Sequence, residues 1–196
     1  MGITFDDIER CLASRPPGEL PAEGLTPAAV ALVLRKGARD MEILFIERAP
    51  RTGDPWSGDL GFPGGKVEEG DGSLRRTTER ETREEIGLDL RGARFLGRLS
   101  DIAGAHIPVR VSCFVYGLKG TEPLSPGDEV RDFFWVPLAE LADPARHVTA
   151  TVRFGGETLE RPAIRLPVEG KPLLWGITYR LVMQFLEVAG SSPVTD

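Results

Sequence analysis

The stretch FPGGKVEEGDGSLRRTTERETREEIGL, residues 62–88, carries more structural information than any other part of this 196-residue chain. Two glycines end a predicted strand, an acidic loop follows, and a highly charged helix closes the stretch. Ser73 is typical of an N-cap, and Gly87 is typical of the position just after a helix C-terminus. The sequence therefore predicts a helix that begins near Ser73 and ends at Gly87.

Three glutamates lie close together near the end of this helix. Glu81 and Glu85 are four residues apart, so their side chains project from one face, and Glu84 lies beside them. Like charges at this spacing cost roughly 0.2–0.5 kcal/mol per pair. Such a face is either solvated, as charged helix faces usually are, or it binds a cation.

The loop before the helix favours the cation. Gly64 and Gly65 allow backbone carbonyls to approach a bound ion closely, and Glu68, Glu69 and Asp71 add carboxylates nearby. Hard oxygen ligands of this kind suit Mg²⁺ or Mn²⁺ and not zinc. The stretch therefore predicts a site for a hard divalent cation.

The stretch resembles the Nudix box, the signature of the Nudix hydrolase family. The box consists of Gly, five residues, Glu, seven residues and then Arg-Glu-apolar-x-Glu-Glu-x-Gly-apolar, and residues 80–88 read RETREEIGL. Gly65 fits the first position, whereas Asp71 replaces the first Glu. The interval from Asp71 to Arg80 is one residue longer than in the pattern, and Thr82 stands at the first apolar position. The combined motif is far more specific than a glycine loop alone.

The resemblance implies a fold and a chemistry. The fold is of the α/β (α+β) class, with a mixed β-sheet sandwiched between α-helices. The activity is hydrolysis of a nucleoside diphosphate linked to another group, with Mg²⁺ or Mn²⁺ to neutralise the pyrophosphate and activate water. The implied metal ligands are Gly65, Glu81, Glu84 and Glu85, and the implied catalytic residues are Glu84, Glu129 and Arg80, of which Arg80 orients the glutamates.

Residues outside the box complete the candidate site. Glu129 precedes a predicted strand, where the family often carries a further acid as base or ligand, although a surface Glu at a turn end is equally consistent. Arg48, at a strand end, could reach a phosphate. Trp56 lies in a long Gly- and Pro-rich loop, where we expect contact with substrate. His106 could also contact substrate, although a single loop His is more often solvated.

The substrate is harder to predict than the chemistry. Arg48 and residues 58–65 and 174–178 resemble the coenzyme A pyrophosphatase branch of the family. The basic residues usual in that branch are missing from the loop that contains Asp54 and Trp56. We therefore expect hydrolysis of coenzyme A to 3′,5′-ADP and phosphopantetheine, with dephospho-coenzyme A accepted at least as well. ADP-ribose, nucleotide sugars and other dinucleotides are the alternatives.

A non-enzymatic nucleotide-binding protein with an inactive box is the alternative of a different class. The presence of Glu81, Glu84 and Glu85 together favours an enzyme. A zinc hydrolase, a serine hydrolase and a P-loop protein are disfavoured because the chain lacks the HExxH, GxSxG and P-loop motifs.

Composition bears on partners and on location. The net charge of −6 argues against nucleic acid and acidic membranes as partners. The longest apolar run is too short to span a bilayer, no signal peptide is visible, and the two cysteines form no metal or redox motif. We therefore expect a cytoplasmic protein that acts on a small nucleotide substrate.

The chain divides by pattern into two parts. Residues 1–27 predict a helix and a proline-rich linker, which could form a homodimer contact or a lid on the sheet, and residues 28–196 predict the Nudix hydrolase domain. Thr4, followed by an acidic residue three positions later, predicts a capped helix start. Further strands are predicted over 28–35, 41–48, 93–101, 109–118 and 133–136, with Val111, Cys113 and Val115 on one face. A hairpin is predicted over 149–166 with its turn at Gly155 and Gly156, and helices over 138–142 and 175–188, the latter with Leu181, Phe185 and Val188 inward.

Overall fold

A mixed β-sheet forms the centre of the fold in the computed structural model, which describes residues 2–21, 23–53, 56–120, 122–154 and 156–190. Within those ranges its eight strands are β1 (Thr26–Lys36), β2 (Met41–Arg48), β3 (Leu60–Gly61), β4 (Gly64–Lys66), β5 (Arg94–Arg98), β6 (Ile102–Ala103), β7 (Val109–Gly117) and β8 (Val130–Pro137). β1 pairs with β7 in parallel and with β2 and β4 antiparallel. β8 joins the outer side of β2.

A second, smaller sheet follows the first along the chain. Its antiparallel strands are β9 (His147–Phe154), β10 (Glu157–Ile164) and β11 (Leu174–Trp175). The predicted hairpin over 149–166 is confirmed by the pairing of β9 with β10. Gly155, one of the two glycines predicted at its turn, lies outside the described residues.

Helices cover both faces of the large sheet. They are α1 (Phe5–Ala13), α2 (Leu74–Ile86), α3 (Leu138–Ala142) and α4 (Gly176–Val188). Buried residues of α1, α3 and α4 join one apolar cluster, whereas Ile86 of α2 joins the cluster on the other face. The sheet is therefore sandwiched between helices, which confirms the predicted fold class.

Alternation along the central strands explains why both faces are buried. Successive strand residues point to opposite sides, so on β1 Leu32 belongs to the cluster under α4 and Val33 to the cluster under α2. On β7 the prediction placed Val111, Cys113 and Val115 on one inward face. The opposite face of β7, with residues such as Tyr116, is buried too, because α2 covers it.

The N-terminal helix is part of the core. Thr4 and Asp7 form a capping box, as the sequence predicts, in which each backbone N–H is bonded to the other residue's side chain. Ile8 and Leu12 are buried in the same cluster as α4. α1 thus lies against the sheet, beside β5 and α4. The boundary between residues 1–27 and 28–196 and the homodimer stay predictions.

Several element boundaries differ from those predicted. β1 begins at Thr26, inside the predicted linker, because its first residues pair with β7. The strand predicted over 93–101 ends at Arg98, and β8 is longer than predicted because β2 supplies a partner along its length. Val188, predicted to be buried, is half-buried, and Leu186 is fully buried instead. Among the described residues, no helix is both long and apolar enough to cross a membrane.

Candidate active site

Two consecutive glycines bring β4 close to both β1 and α2. The φ of Gly64 is +148°, a backbone conformation that residues with a side chain rarely adopt. A Cβ at Gly64 would lie 2.3 Å from the carbonyl oxygen of Ala29, and one at Gly65 would lie 2.4 Å from Oε1 of Glu81. The glycine pair therefore allows the carboxylate of Glu81 to lie directly against the backbone of β4.

Asp71 and Arg80 form the rigid support of the acidic helix. Nε of Arg80 donates to Oδ1 of Asp71 at 2.8 Å, and Nη2 donates to Oδ2 at 3.0 Å. Asp71 also accepts hydrogen bonds from the hydroxyl of Thr77 and from the backbone of Glu68. These bonds, chiefly those from Arg80, hold the pKa of Asp71 well below its ordinary value. The acid at the first Glu position of the box thus serves here as the partner of Arg80.

The remaining hydrogen bonds of Arg80 go to two of the predicted metal ligands. Nη1 donates to Oε1 of Glu81 and to Oε2 of Glu84, each at 3.0 Å. Nη2 also reaches the carbonyl oxygen of Lys66 at 3.3 Å. One guanidinium therefore joins the loop after β4, the acid Asp71 and two glutamates of α2. The orienting role that the family resemblance implies for Arg80 stays a prediction.

Glu85 is the most buried of the glutamates on α2, with 6% of its surface exposed. Its Oε2 accepts a hydrogen bond from the backbone N–H of Gly64 at 2.8 Å, and Nη1 of Arg48 lies 3.9 Å from its Oε1. Burial chiefly, together with the charges of Glu81 and Glu129 and opposed by these two contacts, raises the pKa of Glu85 to about 8. Burial likewise raises the pKa of Glu81.

The donor set fits a hard cation. Glu81 and Glu85 are carboxylates that have lost part of their hydration, and the carbonyl of Gly65 adds a neutral oxygen donor. In the described ranges, no three His, Cys, Asp or Glu side chains are grouped as a preformed metal site. The glutamates instead accept hydrogen bonds from the protein. Arg80 donates to Glu81 and Glu84, and the backbone N–H of Gly64 donates to Glu85.

All sequence-predicted site residues line one cleft of about 680 Å³. The members of that set are Arg48, Trp56, Gly65, Arg80, Glu81, Glu84, Glu85, His106 and Glu129. The cleft extends from the N-terminal part of β1 and the glycines of β4 to the start of α4 and the β9–β10 hairpin. The structure brings the predicted residues together, and their individual roles stay predictions.

Glu129 lies at the start of β8, where its backbone carbonyl accepts a hydrogen bond from Ala49. Its carboxylate pairs with Arg51 at 2.8 Å, and 54% of the Glu129 side chain is exposed. The negative charge of Glu129 contributes to the raised pKa of Glu85, so the two carboxylates interact across the cleft. Sequence reasoning did not identify Arg51 as the partner of Glu129.

An aromatic group from separate elements also lines the cleft. Its centre is Phe154, whose ring centroid lies 6.5 Å from that of Trp56, 5.8 Å from that of His106 and 5.9 Å from that of Trp175. The indole N–H of Trp175 donates to Asp59 at 3.0 Å. The sequence analysis identified neither Phe154 nor its neighbour Arg161 on β10. The alternation of side chains along the two strands of the hairpin could have predicted that Phe154 and Arg161 share one face. It could not have predicted that this face lies against the cleft.

Comparison with known proteins agrees with this geometry. The model of the NUDIX domain family matches residues 24–154. The chain belongs to the Nudix family. The match includes β1, the glycines of β4 and the whole of α2, so the Nudix box is the stretch that carries Glu81 and Glu85. Members of this family generally use divalent metal ions.

Curated relatives of this Nudix protein include two named coenzyme A diphosphatases. The human mitochondrial coenzyme A diphosphatase NUDT8 is 30% identical over 142 residues, which are 69% of this chain and 58% of that protein. The mouse protein of the same name is 27% identical over 186 residues, 90% of this chain and 85% of that protein. The chain covers 54%, 33% and 58% of the length of three curated relatives, the human protein among them.

Solved structures agree on the fold. A MutT/nudix family protein from Enterococcus faecalis superposes with a TM-score of 0.59 at 20% sequence identity, covering 96% of this chain and 70% of that one. At this identity the likeness extends to the Nudix fold alone. It places α1 and the C-terminal helix α4 within the compared region, since nearly the entire chain is included.

Proposed function

We propose that this Nudix protein is a metal-dependent pyrophosphohydrolase that cleaves coenzyme A or a related derivative to 3′,5′-ADP and a phosphopantetheine. The observation that carries the proposal is the pair Glu81 and Glu85, two partly desolvated carboxylates from one helix that line the same cleft. A divalent cation would relieve the mutual repulsion of the two carboxylates, which Arg80 and Arg48 offset only in part.

The box residues would divide the work between binding metal and orienting ligands. Glu81, Glu85 and the carbonyl of Gly65 would hold Mg²⁺ or Mn²⁺, with Glu84 as a further ligand. The metal, when bound, would neutralise the pyrophosphate and lower the pKa of a coordinated water. Arg80 would keep Glu81 and Glu84 in place through its two hydrogen bonds of 3.0 Å.

Glu129 is the candidate general base. It lines the cleft from a different element than the box and is solvated enough to exchange protons with water. Its interaction with Glu85 supports a position near the reacting phosphates. Glu84, which is 58% exposed, is the second candidate for the same role.

The aromatic group in the cleft supports a substrate with a base. Trp56 and Phe154 offer ring faces on which a purine can stack, a contact worth roughly 1–3 kcal/mol per base. The names of the human and mouse relatives support coenzyme A in particular. Those relatives are named mitochondrial, and a cytoplasmic location for this chain stays a prediction.

The test is a substrate panel with the purified protein. Coenzyme A, dephospho-coenzyme A, ADP-ribose, nucleotide sugars and dinucleoside polyphosphates are incubated with Mg²⁺, Mn²⁺ or EDTA, and the products are identified by mass spectrometry. We expect 3′,5′-ADP and phosphopantetheine from coenzyme A, with no product in EDTA. If ADP-ribose or a nucleotide sugar is hydrolysed and coenzyme A is not, the hydrolysed compound replaces coenzyme A as the proposed substrate. Tight binding of a nucleotide without any hydrolysis would favour a nucleotide-binding module.

A further inference from the structure

The cations that line the cleft fall into two groups. Arg48, Arg51 and Arg80 each form an ion pair with a carboxylate. Lys66, Arg161 and Arg180 also line the cleft, but in the described part of the chain none of them forms an ion pair with a carboxylate. Lys66 belongs to β4 beside the Nudix box, whereas the two arginines come from β10 and α4. In a protein with a net charge of −6, two arginines without acidic partners in one cleft form a local site for an anion.

Both arginines are held against the same short loop, residues 103–106. Nη2 of Arg161 lies 3.1 Å from Nε2 of His106, and its Nη1 donates to the carbonyl oxygen of Glu160 at 2.9 Å. Nη1 of Arg180 donates to the carbonyl oxygen of Ala103 at 2.8 Å. Each guanidinium has five N–H donors, so these contacts leave several donors for a ligand.

The aromatic group adjoins this basic site. His106 belongs to both, since its ring lies 5.8 Å from Phe154 and its Nε2 contacts Arg161. A base stacked on Phe154 would therefore place its sugar close to His106 and Arg161. Within the described residues, the hydrogen bonds of Arg161 and Arg180 go to Glu160, His106 and Ala103, and none goes to a carboxylate of the Nudix box.

We propose that Arg161, with His106 and Arg180, binds a phosphate monoester that the substrate carries in addition to its pyrophosphate. The site would select nucleotides phosphorylated on the sugar, such as the 3′-phosphorylated adenosine of coenzyme A. An arginine is suited to this because its planar donors match two oxygens of one phosphate. This inference rests on the proposed pyrophosphohydrolase function and specifies its substrate.

The basic site reverses the substrate order expected from the sequence. That expectation rested on residues 54–57, which lack the basic residues usual in the coenzyme A branch, and so favoured dephospho-coenzyme A at least as much as coenzyme A. The structure supplies cations from elsewhere, namely from β10 and α4. Both arginines lie beyond the family match at residues 24–154, so the Nudix pattern could not have indicated them.

The test compares Arg161→Gln with a matched control on the same hairpin. Arg153 lies on β9 opposite Thr158, so its side chain is on the other face of the hairpin from Phe154 and Arg161, and it is exposed. Arg153→Gln removes the same charge without changing the cleft lining. Arg161→Lys keeps the charge but loses the planar donors, and thermal unfolding verifies that each variant is folded.

For the wild type we expect kcat/KM to be roughly tenfold or more higher for coenzyme A than for dephospho-coenzyme A, since the 3′-phosphate accepts charge-assisted hydrogen bonds that the dephosphorylated form cannot make. Arg161→Gln should remove that preference while kcat/KM for dephospho-coenzyme A changes less than about twofold. Arg161→Lys should retain part of the preference for coenzyme A, and Arg153→Gln should retain all of that preference. Equal losses on both substrates, or an unchanged preference, would overturn the proposal.

A binding measurement separates failure of this site from failure of the proposed function. Calorimetry with 3′,5′-ADP and with AMP needs no turnover. Tighter binding of the bisphosphate, lost in Arg161→Gln but kept in Arg153→Gln, supports the site even if neither coenzyme A form is hydrolysed. Equal affinity of the wild type for the two nucleotides overturns it even if coenzyme A is a substrate.

Discussion

At the scale of single residues, Glu81 and Glu85 differ from the buried acid Asp71 in the direction of their pKa shifts. Their pKa values are raised by burial, whereas arginine holds that of Asp71 down. Carboxylates in such a setting are poised to gain a cation.

We expect Glu81→Gln and Glu85→Gln each to lower kcat by more than roughly 100-fold. Loss of a residue that only supports a metal ligand costs roughly 10–100-fold, and loss of a ligand itself should cost more. The amide removes a charged metal ligand but keeps the shape of the side chain. Both variants should also lose the rise in Tm that Mg²⁺ gives the wild type by binding only the folded state. Glu79→Gln is the control, because Glu79 lies on the same helix but pairs with Arg75 outside the cleft lining. Normal turnover in both variants contradicts the metal assignment.

Glu129→Gln should lower kcat by a factor on the order of 10² or more and flatten the acidic limb of the pH–rate profile, as expected for a general base. Its pair with Arg51 is exposed, so the loss of that pair should hardly change Tm. A wild-type pH–rate profile in this variant would transfer the role to Glu84.

At the scale of elements, α2 depends on a side chain that precedes it. Asp71 accepts bonds from Thr77 and Arg80 of the helix, and it is itself buried. The ion pair of Asp71 and Arg80 thus joins the acidic loop to the helix. It also holds Arg80 in place, and Arg80 donates the hydrogen bonds that Glu81 and Glu84 accept.

Asp71→Asn should lower the free energy of unfolding by roughly 3 kcal/mol, near the lower end for a broken buried pair because Arg80 is partly exposed. It should also lower kcat, since Arg80 loses the partner that orients it. The control is Asp89→Asn, which breaks an exposed pair with Arg91 and should cost little. Chemical denaturation and steady-state kinetics measure both effects, and equal stability of the two variants would falsify the supporting role of Asp71.

Leu12→Ala tests whether α1 unfolds with the rest of the protein. Leu12 is 5% exposed and contacts the region of Gly97 on β5, so its truncation should cost about 2–5 kcal/mol. We expect a single unfolding transition shifted as a whole, whereas Arg15→Ala, at an exposed position, should leave it unchanged. An unshifted main transition in Leu12→Ala would show that residues 1–27 are energetically separate from residues 28–196.

At the scale of the whole molecule, the two kinds of carboxylate predict how stability depends on pH. Asp71 has a lowered pKa in the folded state, so its contribution is present above the ordinary Asp pKa and is lost as the pH falls below it. Glu85 has a folded-state pKa of about 8, raised from 4.5. Between pH 4.5 and about pH 8, Glu85 has lost its proton in the unfolded chain but keeps it in the folded protein. The free energy of unfolding therefore falls as the pH rises through this range.

The metal-free protein should therefore be most stable at weakly acidic pH and should lose Tm progressively up to about pH 8. Glu85→Gln should weaken the alkaline decline, and Mg²⁺ should raise Tm more at pH 8 than at pH 5, because the ion needs the ionised carboxylate. Calorimetry in EDTA and in Mg²⁺ across this range measures both. A flat profile in the wild type would contradict the burial of Glu85.

The sequence by itself determined the features that depend on neighbours along the chain. The cap at Ser73, the end at Gly87 and the four-residue spacing of Glu81 and Glu85 are local, and α2 begins and ends where they indicate. The same holds for the capping box of α1, whereas the mixed, helix-covered sheet followed from the family resemblance. The family motif added the chemistry, because its residues lie within one continuous stretch.

Only the tertiary structure decided which distant residues meet. His106 and Arg161 are 55 positions apart and touch because the β9–β10 hairpin lies over the 103–106 loop. The raised pKa of Glu85 likewise depends on burial by the sheet, which no local pattern encodes. Spacing and capping act over a few residues, whereas desolvation and contacts across a cleft exist only once separate elements have packed together.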